Sequence, residues 1–415
     1  MTTNDIENKE NIEGKGKTIK LYRPTETDMR HYYENFLPFN LIFQWLNHSR
    51  IPNNDFTHRE FAFEHQNGAY QRYNSFQDGT EFKRKVVKVN PTRFEIGAVY
   101  PIEPKNRKTV SKNLMKPISK EMVLDIDLTD YDEIRTCCKG TSICDKCWKF
   151  ITLAIEVVDI AIKEDFGIDN RIWVFSGRRG VHCWMSDSKI RYLKENSRRA
   201  FIEYLDILNV KSKNKKGIFG MKKPYHPHIQ RSLDILKEHF VDIILKEQGT
   251  WDSMESNKEL VLTIPDLKLR NSLLNKWNGN PNMTSTDKWV DIGTQYQELS
   301  INSFDLVDWR KEMILNMLYP RLDVEVSRQM NHLLKSPFCV HPGTGNVCIT
   351  FDPSKKKFNP FTDAPNLNQI FNQDELDWKN TSLKESIELF KEYVETFIKQ
   401  EGHQKRELEN ESLEF

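Results

Sequence analysis

Two aspartates stand two positions apart in the segment Met122 to Leu128, MVLDIDL, and what they can do depends on the element that carries them. On a β-strand successive side chains alternate, so Val123, Asp125 and Asp127 share one face while Leu124, Ile126 and Leu128 fill the other. The apolar face must be core. Carboxylates at i and i+2 of a strand lie roughly 6 to 7 Å apart and repel each other in a conformation that aspartate disfavours. A divalent cation offsets that repulsion. Mg²⁺ takes one or two carboxylates plus substrate phosphates, and paired ions about 3.5 to 4 Å apart serve in-line attack at phosphorus. A solvated strand face is the alternative, because D-x-D is short and common by chance.

A second set lies in Ser176-Gly177-Arg178-Arg179-Gly180-Val181-His182. Its paired glycines permit a tight turn whose N–H groups can face an anion, and two arginines bring forked donors that match phosphate oxygens. With His182 as a third donor this describes a triphosphate cradle, against the alternative of a basic hairpin tip in water. A third set is Cys137-Cys138-x5-Cys144-x2-Cys147, four of the seven cysteines within eleven residues. Four thiolates suit one tetrahedral Zn²⁺, closed to substrate and therefore structural; reduced buried thiols are the alternative. Local basic runs complete the inventory: Lys83 to Arg93, Pro104 to Lys120 and Val210 to Arg231 carry five, six and seven basic residues and no acid. Such runs either sit in water or track a nucleic-acid backbone. Tyr70, Tyr73 and Phe76 near the first run are candidates for base stacking, with core packing the commoner fate.

The elements that position these groups follow from periodicity. Between Thr57 and Val99 the segments FAFEH, AYQRYNSF and RFEIGAVY read as strands of a hairpin or meander, with turns at Asn67-Gly68 and Asp78-Gly79. Strand MVLDIDL precedes a helix on which Trp148, Ile151, Ile155, Val158 and Ile162 recur at 3,4,3,4 spacing. Strands RIWVFS and VHCWM flank the Arg-Arg turn, and LDVEV near residue 322 reads as a further strand on which Asp323 and Glu325 share a face. Residues 190–318 read as a helical insertion into one α/β (α+β) domain made of 19–189 and 319–400, with the zinc element at 137–147. The polar stretches 1–18 and 401–415 are expected to be disordered.

Composition limits the function classes. Of 415 residues 38% are hydrophobic and 29% charged, with 61 Lys and Arg against 60 Asp and Glu and a formal charge of +1. A wholly basic coat is therefore excluded, and any nucleic-acid contact must be a local patch. No run approaches the roughly 18 to 20 apolar residues of a membrane span, and MTTNDIENKENIEGKGK lacks the apolar core of a signal peptide, which argues against secretion.

Taken in order, REFAF, YQRYNSF, EIGAVY, LDIDLTDYD, CCKGTSICDKCW, SGRRGVHCW, YPRLDVEVS and HLLKSPFCVHPGTG closely resemble the catalytic small subunits of eukaryotic DNA primases, from about Tyr22 to Gln400. The resemblance implies an archaeo-eukaryotic primase fold, with an RRM-like mixed-sheet catalytic core, a small zinc-binding element and a helical subdomain. It implies DNA-templated synthesis of short RNA primers by two-metal nucleotidyl transfer, with two Mg²⁺ or Mn²⁺ ions at Asp125, Asp127 and Asp323 and one structural Zn²⁺ at Cys137, Cys138, Cys144 and Cys147. Glu60 and Arg72 match active-site positions of the family. Ser176, Arg178, Arg179 and His182 are implied to hold the incoming triphosphate, Lys335 and His341 to form the second half of that pocket, and His332, Leu333 and Leu334 to line it. Glu95 departs from the family, which usually has aspartate at this place near the ribose of the nucleotide. The implied partners are an iron–sulfur large subunit, the DNA polymerase alpha complex in the nucleus, a single-stranded DNA template and ribonucleoside triphosphates, with no membrane. Three rivals remain at this point, of which a primase-polymerase relative would be expected to carry its zinc element after the catalytic core, whereas here it follows the D-x-D directly. A polymerase-beta-type nucleotidyltransferase expects a Gly-Ser motif before the D-x-D, which Ser111 to Glu121 lacks, and a non-catalytic zinc and nucleic-acid module leaves the aspartates and the Arg-Arg-His group unexplained.

Overall fold

The computed structural model of the chain describes residues 21–208, 221, 223–373 and 376–413. The expected disorder of 1–18 and most of the basic run that starts at Val210 lie outside them. Eight strands are described: β1 (Arg59–Glu64), β2 (Tyr70–Asn74), β3 (Arg93–Val99), β4 (Met122–Asp127), β5 (Arg171–Phe175), β6 (Gly180–Met185), β7 (Leu334–Lys335) and β8 (Thr350–Phe351). They form two four-stranded sheets in the orders β2-β1-β3-β7 and β4-β6-β5-β8. The α+β class is as expected, and the sheets among the described residues are antiparallel throughout rather than mixed.

The first sheet is packed on phenylalanine. The Phe82 ring lies 4.8 to 5.3 Å from those of Phe61, Phe76, Phe39 and Phe94, edge-to-face and tilted contacts that lock one face of the sheet. Phe82 and Val86 reach this core from a helix, Gly79–Val89, where the sequence pattern suggested only a turn at Asp78-Gly79. The Asp78 side chain accepts the Glu81 N–H at 2.7 Å, so Asp78-Gly79 starts a helix rather than closing a turn. Because that helix intervenes, β3 pairs with β1 and not with β2, giving a hairpin plus a crossover instead of a meander.

The second sheet centres on β4. Leu124, Ile126 and Leu128 are fully buried, as their alternation requires. The helix Asp145–Glu164 packs against β4 with Trp148, Ile151, Ile155, Val158 and Ile162 inside. The LDVEV segment is not a strand. Its last residues open a short helix, Val324–Arg328, because Asp323 accepts the N–H groups of Glu325 and Val326 and caps it. Asp323 and Glu325 consequently do not share a strand face. All described elements from Ser188 to Leu318 are helical. The stretch from Glu401, expected to be disordered, continues the helix Lys384–Leu413; buried Glu401 forms a bidentate pair with Arg191 at 2.9 and 3.2 Å, which anchors it. No described helix is long and apolar enough to cross a membrane.

Candidate active site and metal centre

The two sheets each deliver a cross-strand pair to one cavity. In the second sheet Asp125 stands opposite His182, and in the first Glu95 stands opposite Lys335. The cavity between them measures about 690 Å³ and holds, of the expected nucleotide residues, Arg72, Glu95, Ser176, Arg178, Arg179, His182, His332, Leu333, Leu334, Lys335 and His341, together with Asp125 and Asp127.

Its acidic side is built on β4. Asp125 is pushed up to about 7, first by burial and then by the carboxylates of Asp127 and Asp323. Asp323 is not among the lining residues, but its N–H donates to the Asp125 carbonyl at 3.0 Å, which brings the two acids side by side. Glu325 instead accepts from Arg328 of its own helix and from Gln329, which caps that helix. Asp130 is a fourth acid of this group, raised by burial and by Asp127 and Asp323, and no sequence feature marked it. Asp125 and Asp130 are each raised by the neighbouring carboxylates of Asp127 and Asp323, and a divalent cation would add the opposite charge that such a cluster lacks. Asp127 also accepts both Thr129 donors, at 2.7 and 2.8 Å, and the Arg179 Nε, at 2.7 and 2.8 Å to its two oxygens.

The basic side comes from the Arg-Arg turn and the segment after β7. Gly177 has φ +92°, and a Cβ there would stand 2.5 Å from the His341 Cβ; one on Gly180 would stand 2.3 Å from the Ile126 carbonyl oxygen. The glycine bracket thus lets the turn press against both β4 and the His341 loop. The Gly180 N–H is used within the turn, donating to Ser176 Oγ at 3.1 Å, so it is not available to an anion. Lys335 donates to the Ser176 carbonyl and Thr344 Oγ1 to that of Gly177. His341 Nδ1 accepts the Gly343 N–H at 3.1 Å, leaving Nε2 as the proton-bearing nitrogen of the neutral ring. Burial and Lys335 hold both His182 and His341 down at about 3, with Arg178 adding to the effect on His341. Both rings are therefore neutral near pH 7. His182 Nδ1 is buried with no hydrogen-bond partner, a polar atom that calls for a ligand or solvent.

Glu60 and Glu95 differ in placement. Glu60 is fully buried and accepts from Arg72 at 2.8 and 3.0 Å, from the Tyr73 N–H at 3.1 Å and from Tyr100 Oη at 3.1 Å. It is not among the residues that line the cavity and lies behind Arg72, which it holds by two hydrogen bonds. Glu95 does line the cavity and accepts Tyr70 Oη at 2.5 Å. Phe94 and Ile96 on either side are buried, as alternation requires. Of the candidate stacking rings, Phe76 is core, while Tyr70 is 47% exposed at the cavity. Sequence reasoning missed Arg93, Gln329 and Asn331 in the lining; only Arg93 carried a signal, two positions before Glu95 on the same strand face.

The four cysteines form a second, closed site. Their sulfurs lie within 4.8 Å of one another, with Cys144 and Cys147 buried. Mutual contact and burial push the Cys137 thiol up, and burial with the Cys144 contact takes Cys138 to about 12. Packed thiols of this kind ionise together only around a cation. Arg135 donates to Cys147 Sγ at 3.8 Å and also to the carbonyls of Ser142 and Gly140, and Gln248 donates to Cys137 Sγ at 3.5 Å. Donors to the sulfurs are the outer shell that orients metal thiolates. The residues present therefore fit a metal such as zinc.

The DNA primase small subunit family matches residues 124–353, the segment that holds the aspartates, the cysteines and the Arg-Arg turn. The chain is 43% identical over 414 residues to the "DNA primase small subunit" of Saccharomyces cerevisiae, covering 96% of this chain and 99% of that one. It is 46% identical over 353 residues to the protein of that name from Schizosaccharomyces pombe, covering 83% and 77%, and 35% identical over 369 residues to the one from Drosophila melanogaster, covering 86% and 84%. A family match over more than half of the chain and relatives above 30% identity over most of it place this chain in the DNA primase small subunit family.

Proposed function

We propose that this chain is the catalytic subunit of a DNA primase, a DNA-directed RNA polymerase that joins ribonucleotides on a single-stranded DNA template. The observation that carries this reading is the opposition, within one cavity of about 690 Å³, of the Asp125–Asp127 face to the Arg178, Arg179, Lys335 and His341 wall. Polymerisation needs both: acids where a cation and a 3′-hydroxyl meet, and donors where the triphosphate lies. Asp125, Asp127 and Asp323 would hold two Mg²⁺ or Mn²⁺ ions, and Cys137, Cys138, Cys144 and Cys147 one structural Zn²⁺. When bound, the catalytic ions lower the pKa of the attacking hydroxyl and neutralise the leaving pyrophosphate.

The chain's own residues do the rest. Arg178, Lys335, Ser176 and the His341 Nε2–H bind the phosphates in place before reaction, so little reorganisation is needed as charge develops. Arg179 exchanges the Asp127 carboxylate for a phosphate oxygen when nucleotide enters. Glu60 fixes Arg72 by two hydrogen bonds, and Leu333 and Leu334 close one side against water. Glu95, held by Tyr70, faces the sugar. As a small subunit the chain would pair with the iron–sulfur large subunit and with DNA polymerase alpha in the nucleus. The domain division into 19–189 with 319–400 and a helical 190–318 belongs to the same reading.

Incorporation of labelled ribonucleotides on a single-stranded homopolymer, with Mn²⁺ and with or without an annealed primer, tests it. Template-dependent extension of the primer is expected; no incorporation in either arm by folded, zinc-loaded protein would overturn the reading.

A further inference from the structure

Strand β2 is irregular beside the cavity. Phe61 pairs with Asn74 and Phe63 with Gln71, so two residues of β2, Arg72 and Tyr73, stand where β1 has only Ala62. Tyr73 takes φ +65°, the left-handed region that bulky side chains avoid. This bulge is held from beneath: Glu60 accepts the Tyr73 N–H and both ends of the Arg72 guanidinium. Buried carboxylates, bulges and left-handed residues each carry a cost, and their coincidence next to a site marks a side chain being re-aimed.

What is re-aimed is the Tyr73 ring. Two guanidiniums approach it, Arg72 at 5.2 Å and Arg107 at 4.2 Å from its centroid. Arg107 comes from the 3-10 turn Pro104–Thr109, and its side chain has no ion pair or hydrogen bond among the described residues, only the Tyr73 ring. Lys108, Lys112 and Lys116 on the same segment also lack ion pairs there, and residues 104–120 contain no acid. Lys105 pairs with Glu103, and Lys120 points inward to the carbonyls of Gln329 and His332. The ring face is taken by Arg107, so this is no base-stacking platform. It orients a planar guanidinium while its edge donors stay free, the geometry that matches a phosphate. Through Arg72 and Tyr70, which line the cavity, the feature adjoins the proposed site of synthesis.

We infer that Tyr73 and Arg107 form a contact point for the phosphodiester backbone of a nucleic-acid strand at the edge of the cavity, with Lys108, Lys112 and Lys116 extending the track. This rests on the polymerase reading of the cavity. The strand is either the DNA template or the RNA primer, which share that chemistry.

The test measures binding of the full chain to a labelled oligo(dT) strand and to an RNA primer annealed to DNA, each across a salt series. Arg107→Ala is expected to flatten the slope of log affinity against log salt by roughly 0.7 and to weaken binding about fivefold near ~0.1 M salt, the contribution of one single-strand phosphate contact. An effect in both arms assigns the contact to the template, and one confined to the hybrid assigns it to the primer. Arg107→Lys should keep the slope, because it keeps the charge. Lys379→Ala, which removes a cation beside a remote ring, Trp378, should leave the slope unchanged. An unchanged Arg107→Ala slope in both arms would overturn the inference and leave Arg107 as a clasp between the turn and β2. An equal, salt-independent loss in Arg107→Ala and Arg107→Lys would do the same. Primer extension by the wild type, run on the same preparation, separates the two readings: no extension removes the function, whereas extension with an unchanged slope removes only this contact.

Discussion

The cysteine cluster and the carboxylate group proposed to hold the catalytic ions are built in opposite ways. The cysteine site draws all four ligands from eleven consecutive residues and closes them at the start of a helix. The proposed carboxylate site would take Asp125 and Asp127 from one strand and Asp323 from a helix cap nearly two hundred residues later, and its strand aspartates line an open cavity. A closed set of protein ligands leaves no position for substrate and serves stability; an open, mutually repelling set is poor for stability and useful for chemistry.

The largest expected effect breaks the comparison at its open side. Asp125→Ala or Asp127→Ala should lower nucleotide addition by a factor of about 10³ or more while circular dichroism and zinc content stay as in wild type, because removal of a metal ligand acts on the transition state. Extension at saturating Mn²⁺ that matched wild type would sink the assignment. At the closed side, Cys144→Ala or Cys147→Ala should release the zinc and lower Tm, with specific activity retained in whatever fraction stays folded. Reduced activity of fully folded mutant would show instead that the cysteine element touches substrate.

A third expectation contrasts the two acids of the helix cap. Asp323→Ala should behave like Asp125→Ala, whereas Glu325→Ala, which loses only contacts to Arg328 and Gln329 on the surface, should retain activity within a few-fold. The fourth concerns pH. Asp125 binds its proton more tightly in the fold, at about 7, than in the unfolded chain, where aspartate titrates at its ordinary 3.8. The folded state therefore holds more protons between those values, and stability falls as pH rises through that window. Asp125→Asn is neutral throughout, so in metal-free buffer its Tm should exceed that of wild type at pH 8 and the advantage should shrink toward pH 4. Equal Tm at pH 8 would mean that the acids do not strain one another.

The smallest effect is at Glu95. With Tyr70 holding its carboxylate, Glu95→Gln should reduce the preference for ribonucleotides over 2′-deoxynucleotides and Glu95→Asp should be tolerated, read as the ratio of kcat/KM for the two substrates. A ratio unchanged in both variants would remove Glu95 from the sugar pocket.

The same contrast explains what could be read from the chain before its structure. The β4 alternation, the Trp148 to Ile162 helix and the cysteine cluster are local patterns, and each is where its spacing places it. The helix Gly79–Val89 was hidden because its charged residues mask the Phe82 and Val86 spacing, and only the Asp78 cap betrays it. LDVEV alternates like a strand, yet Asp323 caps a helix there, since a side chain that satisfies free N–H groups outweighs a weak periodicity. Glu60 could be matched to its family but not placed, because its burial beneath Arg72 depends on the bulge in β2. Asp130 and Asn331 join the site through tertiary packing alone.

The most direct test counts ions on the two sites separately. Wild-type and Asp125→Asn/Asp127→Asn protein, purified without chelator, would be analysed for tightly bound zinc and then titrated with Mn²⁺, read by the loss of free Mn²⁺ signal in electron paramagnetic resonance. One zinc in both proteins, with Mn²⁺ binding in the wild type and none at the same concentrations in the double variant, is the result expected of one closed and one open site. Undiminished Mn²⁺ binding by the double variant, or zinc lost together with the aspartates, would contradict it.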